Sequence, residues 1–233
     1  MEKQLSSLLV LHGALGSAKQ MQPFINHLPD NLKTYTMDFT GHGGLALPNQ
    51  LSIELFAKEV SHFLDVNNIN LINIFGYSMG GYVALKLALT DKRIKSIYTL
   101  GTKFNWTPES AKHETGMLNP DKIELKVPAF AQALKARHFP TDWRLLMNKT
   151  SEMMLALGEQ PALTLEHLRA IAIPVIIGIG DQDTMVSIEE SQWAANHLPN
   201  GSVKIFKGFK HPIEQLDNKK LAEAIAQFIH SNS

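Results

Sequence analysis

The sequence predicts an α/β fold: a doubly wound, mainly parallel sheet of about six strands that carries a helical insertion. Three observations lead there. Short apolar runs recur along the chain, bounded by polar residues or glycine and separated by helix-length segments, which is the pattern of strands buried on both faces. One of those runs leads straight into "GYSMG", a tight glycine-flanked turn followed by a helical pattern. Between about residues 102 and 169 the alternation stops and helical periodicity takes over.

The elements follow in chain order. "SLLVL" (7–11) reads as the first strand, and Ser17 with Gln20 matches a capping box opening a helix toward His27. "TYTM" (34–37) is the second strand, and Ile53, Phe56, Val60, Phe63 and Leu64 then form an apolar stripe at helical spacing. "LINIF" (71–75) precedes the glycine turn and the helix "GYVALKLAL"; "SIYTL" (96–100) is the fourth strand. In the insertion, Trp143, Leu146, Met147, Thr150, Met153, Met154 and Leu157 share one helix face, with Pro140, Thr141 and Asp142 as start signals. "PVIIGI" (174–179) and "SVKIF" (202–206) complete the strands. Leu221, Ala224, Ile225, Phe228 and Ile229 mark a last amphipathic helix. The expected division is a core of residues 1–101 and 170–233, with 102–169 as a helical cap or lid.

Composition narrows the function. At 233 residues the chain suits one large domain with a single core. Lysine plus arginine equals aspartate plus glutamate, 22 each, so charge does not point to nucleic acid or an anionic membrane surface as partner. The absence of cysteine excludes disulfides, a thiol nucleophile and thiolate metal sites. The N-terminus is read as mature sequence and not as a signal peptide, because Glu2 pairs with Lys3 and the apolar run is short and broken by serines. No apolar segment reaches the roughly 18 residues a membrane span needs. A cytoplasmic location is the default expectation.

Ser78 sits between Gly76 and Gly80, just after a strand and at the start of a helix. Small residues are needed where strand and helix nearly touch, and the turn presents the hydroxyl at a helix N-terminus, where backbone amides favour a developing anion. A serine hydroxyl needs a base, and the base an orienting acid. "DQDTMV" places Asp181 and Asp183 after the fifth strand, and "KGFKHP" places His211 after the sixth. All lie at strand C-terminal ends, where open α/β sheets collect ligands. Among the other histidines, His12 and His42 read as turn-shaping, and His27, His62, His167, His197 and His230 fall on helical stretches. His113 and His138, in the insertion, are placed to touch substrate. No pair of histidines has a metal-ligand spacing, so neither metal nor cofactor is expected.

Taken together, "LHGALGS", "DFTGHGG", "GYSMGG", "GDQD" and "KHP" occur in an order that resembles the α/β-hydrolase superfamily over essentially the whole chain. The resemblance implies Ser78 as nucleophile, Asp183 as acid and His211 as base, with an oxyanion hole from the backbone amides of Ala14 and Met79. Such donors typically lower the barrier by about 3 kcal/mol each. In the family pattern the acid precedes a short segment ending in valine, which matches Asp183 and leaves Asp181 as a loop-shaping residue. The N-terminal antiparallel hairpin of most relatives is expected to be missing, since few residues precede the first strand. Asp38 is expected to accept backbone amides of the glycine turn that follows it.

The insertion is rich in large apolar residues, and Phe104, Trp106, Trp143 and Met147 are expected to line a pocket for an apolar acyl or alcohol group. Lys103, Lys112 and Arg137 lie near enough in sequence to reach a carboxylate or a coenzyme A phosphate. Serine at position 78 excludes the carboxylate nucleophiles of dehalogenase-like and epoxide-hydrolase-like relatives. The expected partner is a small-molecule ester. Thioester or carbon-carbon bond cleavage, or slow-turnover ligand reception, uses the same residues.

Overall fold

A computed structural model describes residues 6–232; Glu2 and Lys3, read above as the head of a mature N-terminus, lie outside the described residues. The six strands are β1 (Ser6–Leu11), β2 (Leu32–Met37), β3 (Ile72–Tyr77), β4 (Ile94–Leu100), β5 (Val175–Gly180) and β6 (Gly201–Phe206). They form one sheet in the order β2-β1-β3-β4-β5-β6, and every neighbouring pair is parallel. The chain runs from β1 outward to β2 and returns to β3 on β1's other side. The order therefore reverses between β1 and β3, and the loops leaving these two strands open a crevice at their C-terminal ends.

Ten helices complete the described chain: α1 (Gln22–Ile25), α2 (Ile53–Val66), α3 (Met79–Ala88), α4 (Pro108–Gly116), α5 (Pro120–Lys126), α6 (Pro128–His138), α7 (Trp143–Glu159), α8 (Leu165–Ala170), α9 (Ile188–Asn196) and α10 (Asn218–Ser231). Alternation along the strands sends side chains to two apolar layers. Leu9, Leu11, Ile72 and Ile74 pack with α2 and α3 on one face. Leu8, Val10, Phe75 and Tyr77 pack with Phe24 of α1 and Leu221, Ala222 and Ile225 of α10 on the other. Each large apolar side chain buried this way contributes about 1.5–3 kcal/mol relative to exposure. Ser52 and Asp217 cap α2 and α10, accepting from Leu55 N at 3.1 Å and Lys220 N at 3.0 Å.

One expected helix is different. Residues 17–27 form a 3-10 turn at Lys19–Met21 that runs into the short α1. Ser17 Oγ does accept from Gln20 N at 3.2 Å, but the Gln20 side chain donates to Glu214 Oε1 at 2.6 Å and does not reach back. Pro23 has no N–H to bond the carbonyl of residue 19, which ends a continuous helix there.

The segment between β4 and β5 is helical, holding α4 to α8. α7 starts at Asp142, whose side chain accepts from Arg144 N at 2.8 Å, and buries Trp143, Leu146, Met147, Thr150, Met153 and Leu157. α4 crosses α7 closely: a Cβ on Gly158 would stand 2.6 Å from that of Ala111. Leu134 and the buried face of α7 belong to the same apolar cluster as the α2/α3 side of the sheet.

Candidate active site

Ser78 stands between β3 and α3 with φ 52° and ψ −118°. A non-glycine residue pays a steric cost in this region of backbone space, so surrounding bonds must hold it. They do: Ser78 N donates to Leu100 O at 2.8 Å, and Thr102 Oγ1 donates to Ser78 O at 2.9 Å. The turn is possible because a side chain on Gly76 would collide with the backbone of Gly80 and Gly81, and one on Gly80 would lie 2.6 Å from Leu11 O.

His211 and Asp183 meet at the C-terminal edge of the sheet, with His211 Nδ1 2.8 Å from Asp183 Oδ2. Asp183 Oδ1 accepts from Met185 N at 2.8 Å and Val186 N at 3.0 Å, so both carboxylate oxygens are engaged. Burial pushes this carboxyl up, but the His211 hydrogen bond and charge together with the two amides outweigh it and hold the carboxyl below its ordinary range. Asp181 instead accepts from Gly208 N at 2.6 Å and ties the β5 and β6 loops together. Ser78, His211, Met79 and Ala14 line one small pocket of about 50 Å³. A wider cleft of about 330 Å³ continues from it past Tyr77, Met117, Leu118, Phe130 and Arg137.

Three supporting residues carry no strong signal in the sequence. Gly101 follows β4 with φ +61°, and a Cβ there would lie 3.2 Å from both Asp183 Oδ2 and His211 Nδ1. Tyr77, the residue before the serine, donates its hydroxyl to His211 O at 2.8 Å. Glu190 on α9 accepts from the amides of Phe104 and Asn105, the latter at 2.6 Å.

The loop after β1 is held by three buried histidines. His12 donates from Nδ1 to Gly13 O at 2.8 Å and accepts at Nε2 from Phe39 N at 3.2 Å. His42 donates to Thr40 O at 3.1 Å and accepts from Leu15 N at 3.3 Å. His138 of α6 donates from Nε2 to Leu15 O at 3.0 Å and accepts at Nδ1 from Gly43 N at 3.1 Å. Each ring thus has one donor and one acceptor role, which only the neutral imidazole fills. Burial accordingly pushes His12 and His138 down to about 4 and His42 well below its ordinary value.

Several expected contacts are corrected. His138 holds a loop in place of touching substrate, and His113 is exposed on α4. Phe104, Trp143 and Met147 are buried in the apolar core; of the four expected pocket residues Trp106 lines the pocket, beside Met153, Met154 and Leu157. Asp38 accepts from Ala18 N at 2.7 Å, a residue of the β1 loop and not of the glycine turn after it. Lys103 is paired with Glu114, Arg137 binds Leu15 O and Glu214, and Lys112 is exposed.

The family model for serine aminopeptidase, S33 matches residues 2–216. The chain belongs to this family of α/β-hydrolases. It is similar to a putative carbamate hydrolase RutD of Serratia proteamaculans, with 26% identity over 220 residues, 85% of this chain and 82% of the relative. An uncharacterized carboxylesterase, nap, of Bacillus subtilis is 20% identical over 97% of this chain and 80% of its own length. Among solved structures, a putative lipase from Acinetobacter baumannii AYE superposes with a TM-score of 0.82 at 18% identity, covering 100% of this chain and 87% of the other. The α/β-hydrolase is a carboxylesterase-like enzyme. Among the described residues, no helix is long and apolar enough to cross a membrane, and no group of three or more histidine, aspartate or glutamate side chains is placed to hold a metal.

Proposed function

We propose that this α/β-hydrolase is a serine esterase that cleaves carboxylic esters of small to medium apolar substrates through an acyl-enzyme. The observation that carries the reading is the Asp183–His211 hydrogen bond in the pocket that also holds the strained Ser78. Ser78 Oγ attacks the ester carbonyl while His211 Nε2 takes its proton, and Asp183 holds the Nδ1–H tautomer that makes Nε2 basic. The amides of Ala14 and Met79 receive the negative charge on the carbonyl oxygen, that of Met79 at the N-terminus of α3. Collapse breaks the carbon-oxygen bond to the alcohol, which leaves with the proton from His211. Water then repeats the attack on the acyl-enzyme, losing a proton to His211, and Ser78 is released with the acid.

The predominantly apolar lining of Ile53, Met79, Tyr82, Met153, Met154 and Leu157 supports an apolar acyl group. In this reading residues 102–169, which hold α4 to α7 and all but the last residue of α8, act as the cap that closes over the acyl chain. The decisive experiment is intact-protein mass spectrometry after incubation with a fluorophosphonate. A single adduct on the wild type and none on folded Ser78→Ala is expected; equal labelling of both, or full ester turnover by the variant, would sink the assignment.

A further inference from the structure

The loop that brings Ala14 to the pocket is held from outside the sheet. Residues 13–16 form a turn closed by Gly16 N, which donates to Gly13 O at 3.0 Å. Leu15, the third residue of the turn, has φ 56°, where such turns normally carry glycine. For leucine this conformation costs about 1–2 kcal/mol, so neighbouring bonds must hold it. Its N–H donates to His42 Nε2 at 3.3 Å. Its carbonyl accepts twice from α6, from Arg137 Nη1 at 2.8 Å and from His138 Nε2 at 3.0 Å. These two donors come from 122 and 123 residues further along the chain.

A trans peptide is planar, and its C=O and N–H point in opposite directions. Two such planes link α6 to the pocket. Holding Leu15 O fixes the N–H of Gly16, which shares its plane and donates to Gly13 O. Gly13 O, which also accepts from His12 Nδ1 at 2.8 Å, in turn fixes the N–H of Ala14 on the opposite side of the second plane. That amide donates to no acceptor among the described residues. It belongs to a peptide packed against the nucleophile: a Cβ on Gly13 would lie 3.0 Å from Ser78 Cβ, and Ala14 lines the pocket with Ser78.

Building on the serine-esterase reading, in which the Ala14 N–H receives the oxyanion, we propose that Arg137 and His138 are positioning residues for that donor. They act through Leu15 O, keeping the Ala14 N–H aimed where the ester oxygen gains its charge. A donor held in advance needs no reorganisation as the charge appears. Arg137 also donates to Glu214 Oε1 at 3.0 Å, a bond that ties α6 to the chain after β6 without passing through Leu15. The two bonds of Arg137 can therefore be tested apart.

The test measures kcat and KM for ethyl butanoate in wild type, Arg137→Met and Glu214→Gln. Arg137→Met removes the shorter bond to Leu15 O. Its kcat is expected to fall about tenfold with KM within about twofold, because the oxyanion contact is made only in the transition state. Glu214→Gln breaks the ion pair and leaves the Leu15 bond, so its kcat is expected to fall by less than about threefold. Butylboronic acid, whose tetrahedral adduct with Ser78 places an oxygen in the same hole, is expected to bind about tenfold more weakly to Arg137→Met than to the wild type. An unchanged kcat in Arg137→Met, a rise in KM alone, or an equal kcat loss in Glu214→Gln overturns the proposal.

A second readout needs no turnover. The sequence holds a single Gly–Ala step, Gly13–Ala14, so ¹³C-carbonyl glycine with ¹⁵N-alanine isolates the Ala14 amide as the one carbonyl-coupled resonance. In the wild type this resonance is expected to move downfield with butylboronic acid, and at saturation to move less in Arg137→Met. No shift in the wild type at saturating boronic acid, or an equal shift in the variant, would refute the positioning role even if esters are hydrolysed. The shift in a wild type that hydrolyses no ester, together with its reduction in Arg137→Met, would uphold the positioning and refute the esterase reading.

Discussion

His138 Nε2 lies 3.0 Å from the carbonyl oxygen of Leu15, so the end of α6 is bonded directly to the loop whose Ala14 lines the pocket. The bond works only with a neutral ring, because Nδ1 is already accepting from Gly43 N. His12 and His42 are constrained in the same way. The charges acting on this cluster are Asp38, 3.9 Å from His12, which favours protonation, and Arg137, which opposes it.

This arrangement sets an acid limit on stability. With His12 and His138 held down to about 4 in the folded chain and near 6.5 in the unfolded one, the unfolded state binds more protons between those values. Stability is therefore complete above about pH 6.5 and is lost as pH falls toward 4, by on the order of 1–2 kcal/mol per histidine at pH 5. Asp183, whose carboxyl is held low, adds its own loss only below the ordinary carboxylate range. Urea midpoints are expected to drop between pH 7.5 and 5, and to drop less in His138→Gln. A flat profile would mean the rings are not held neutral.

Gly101 is expected to be intolerant of any side chain. Its φ of +61° makes even alanine strained, by about 1–2 kcal/mol, and the new Cβ would press on His211 and Asp183. Gly101→Ala should lose more than tenfold in kcat on a simple ester, with a lowered melting temperature. Wild-type turnover would show that the His–Asp pair yields without consequence.

The two aspartates of "DQD" hold different partners, Asp183 meeting His211 and Asp181 meeting Gly208 N. Asp183→Asn replaces the carboxylate that orients Nδ1–H, and kcat should fall by about 10³–10⁴. Asp181→Asn weakens one bond to Gly208 N, so it should cost about 1 kcal/mol of stability and leave kcat within a few-fold. Comparable kcat losses in both would place the acid elsewhere.

That the loops after the strands bring Asp183 to His211 was legible beforehand, and the pocket wall was not, for a physical reason. Ser78, Asp183 and His211 each follow a strand, and strand ends in a parallel sheet converge on one edge whatever the loops do. Phe104, Trp143 and Met147 share the composition of a pocket lining, but whether a large apolar side chain faces a cavity or the core depends on how α4 to α8 and the segment before them pack, which periodicity does not encode. His138 was equally opaque: its partners, Leu15 and Gly43, are far away in sequence. The Ser17–Gln20 capping box failed because Gln20 found a stronger partner in Glu214, from the loop after β6.

Glu190 offers the means to ask whether the loop carrying Lys103 and Trp106 must be rigid. Its Oε1 accepts from two successive amides, Phe104 and Asn105, and so clamps the chain just after β4 to the first turn of α9. Phe104 is buried, so its amide would be left poorly paired in Glu190→Ala, at about 2 kcal/mol for a bond to a charged acceptor. The Asp183–His211 bond does not pass through this clamp. Glu190→Ala is therefore expected to raise KM for short-chain esters about tenfold while kcat falls less, because the pocket wall and not the nucleophile is loosened. Glu190→Gln, which keeps an acceptor oxygen at the same reach, should restore most of the loss. A kcat collapse with unchanged KM, unrescued by glutamine, would place Glu190 in the chemical step instead.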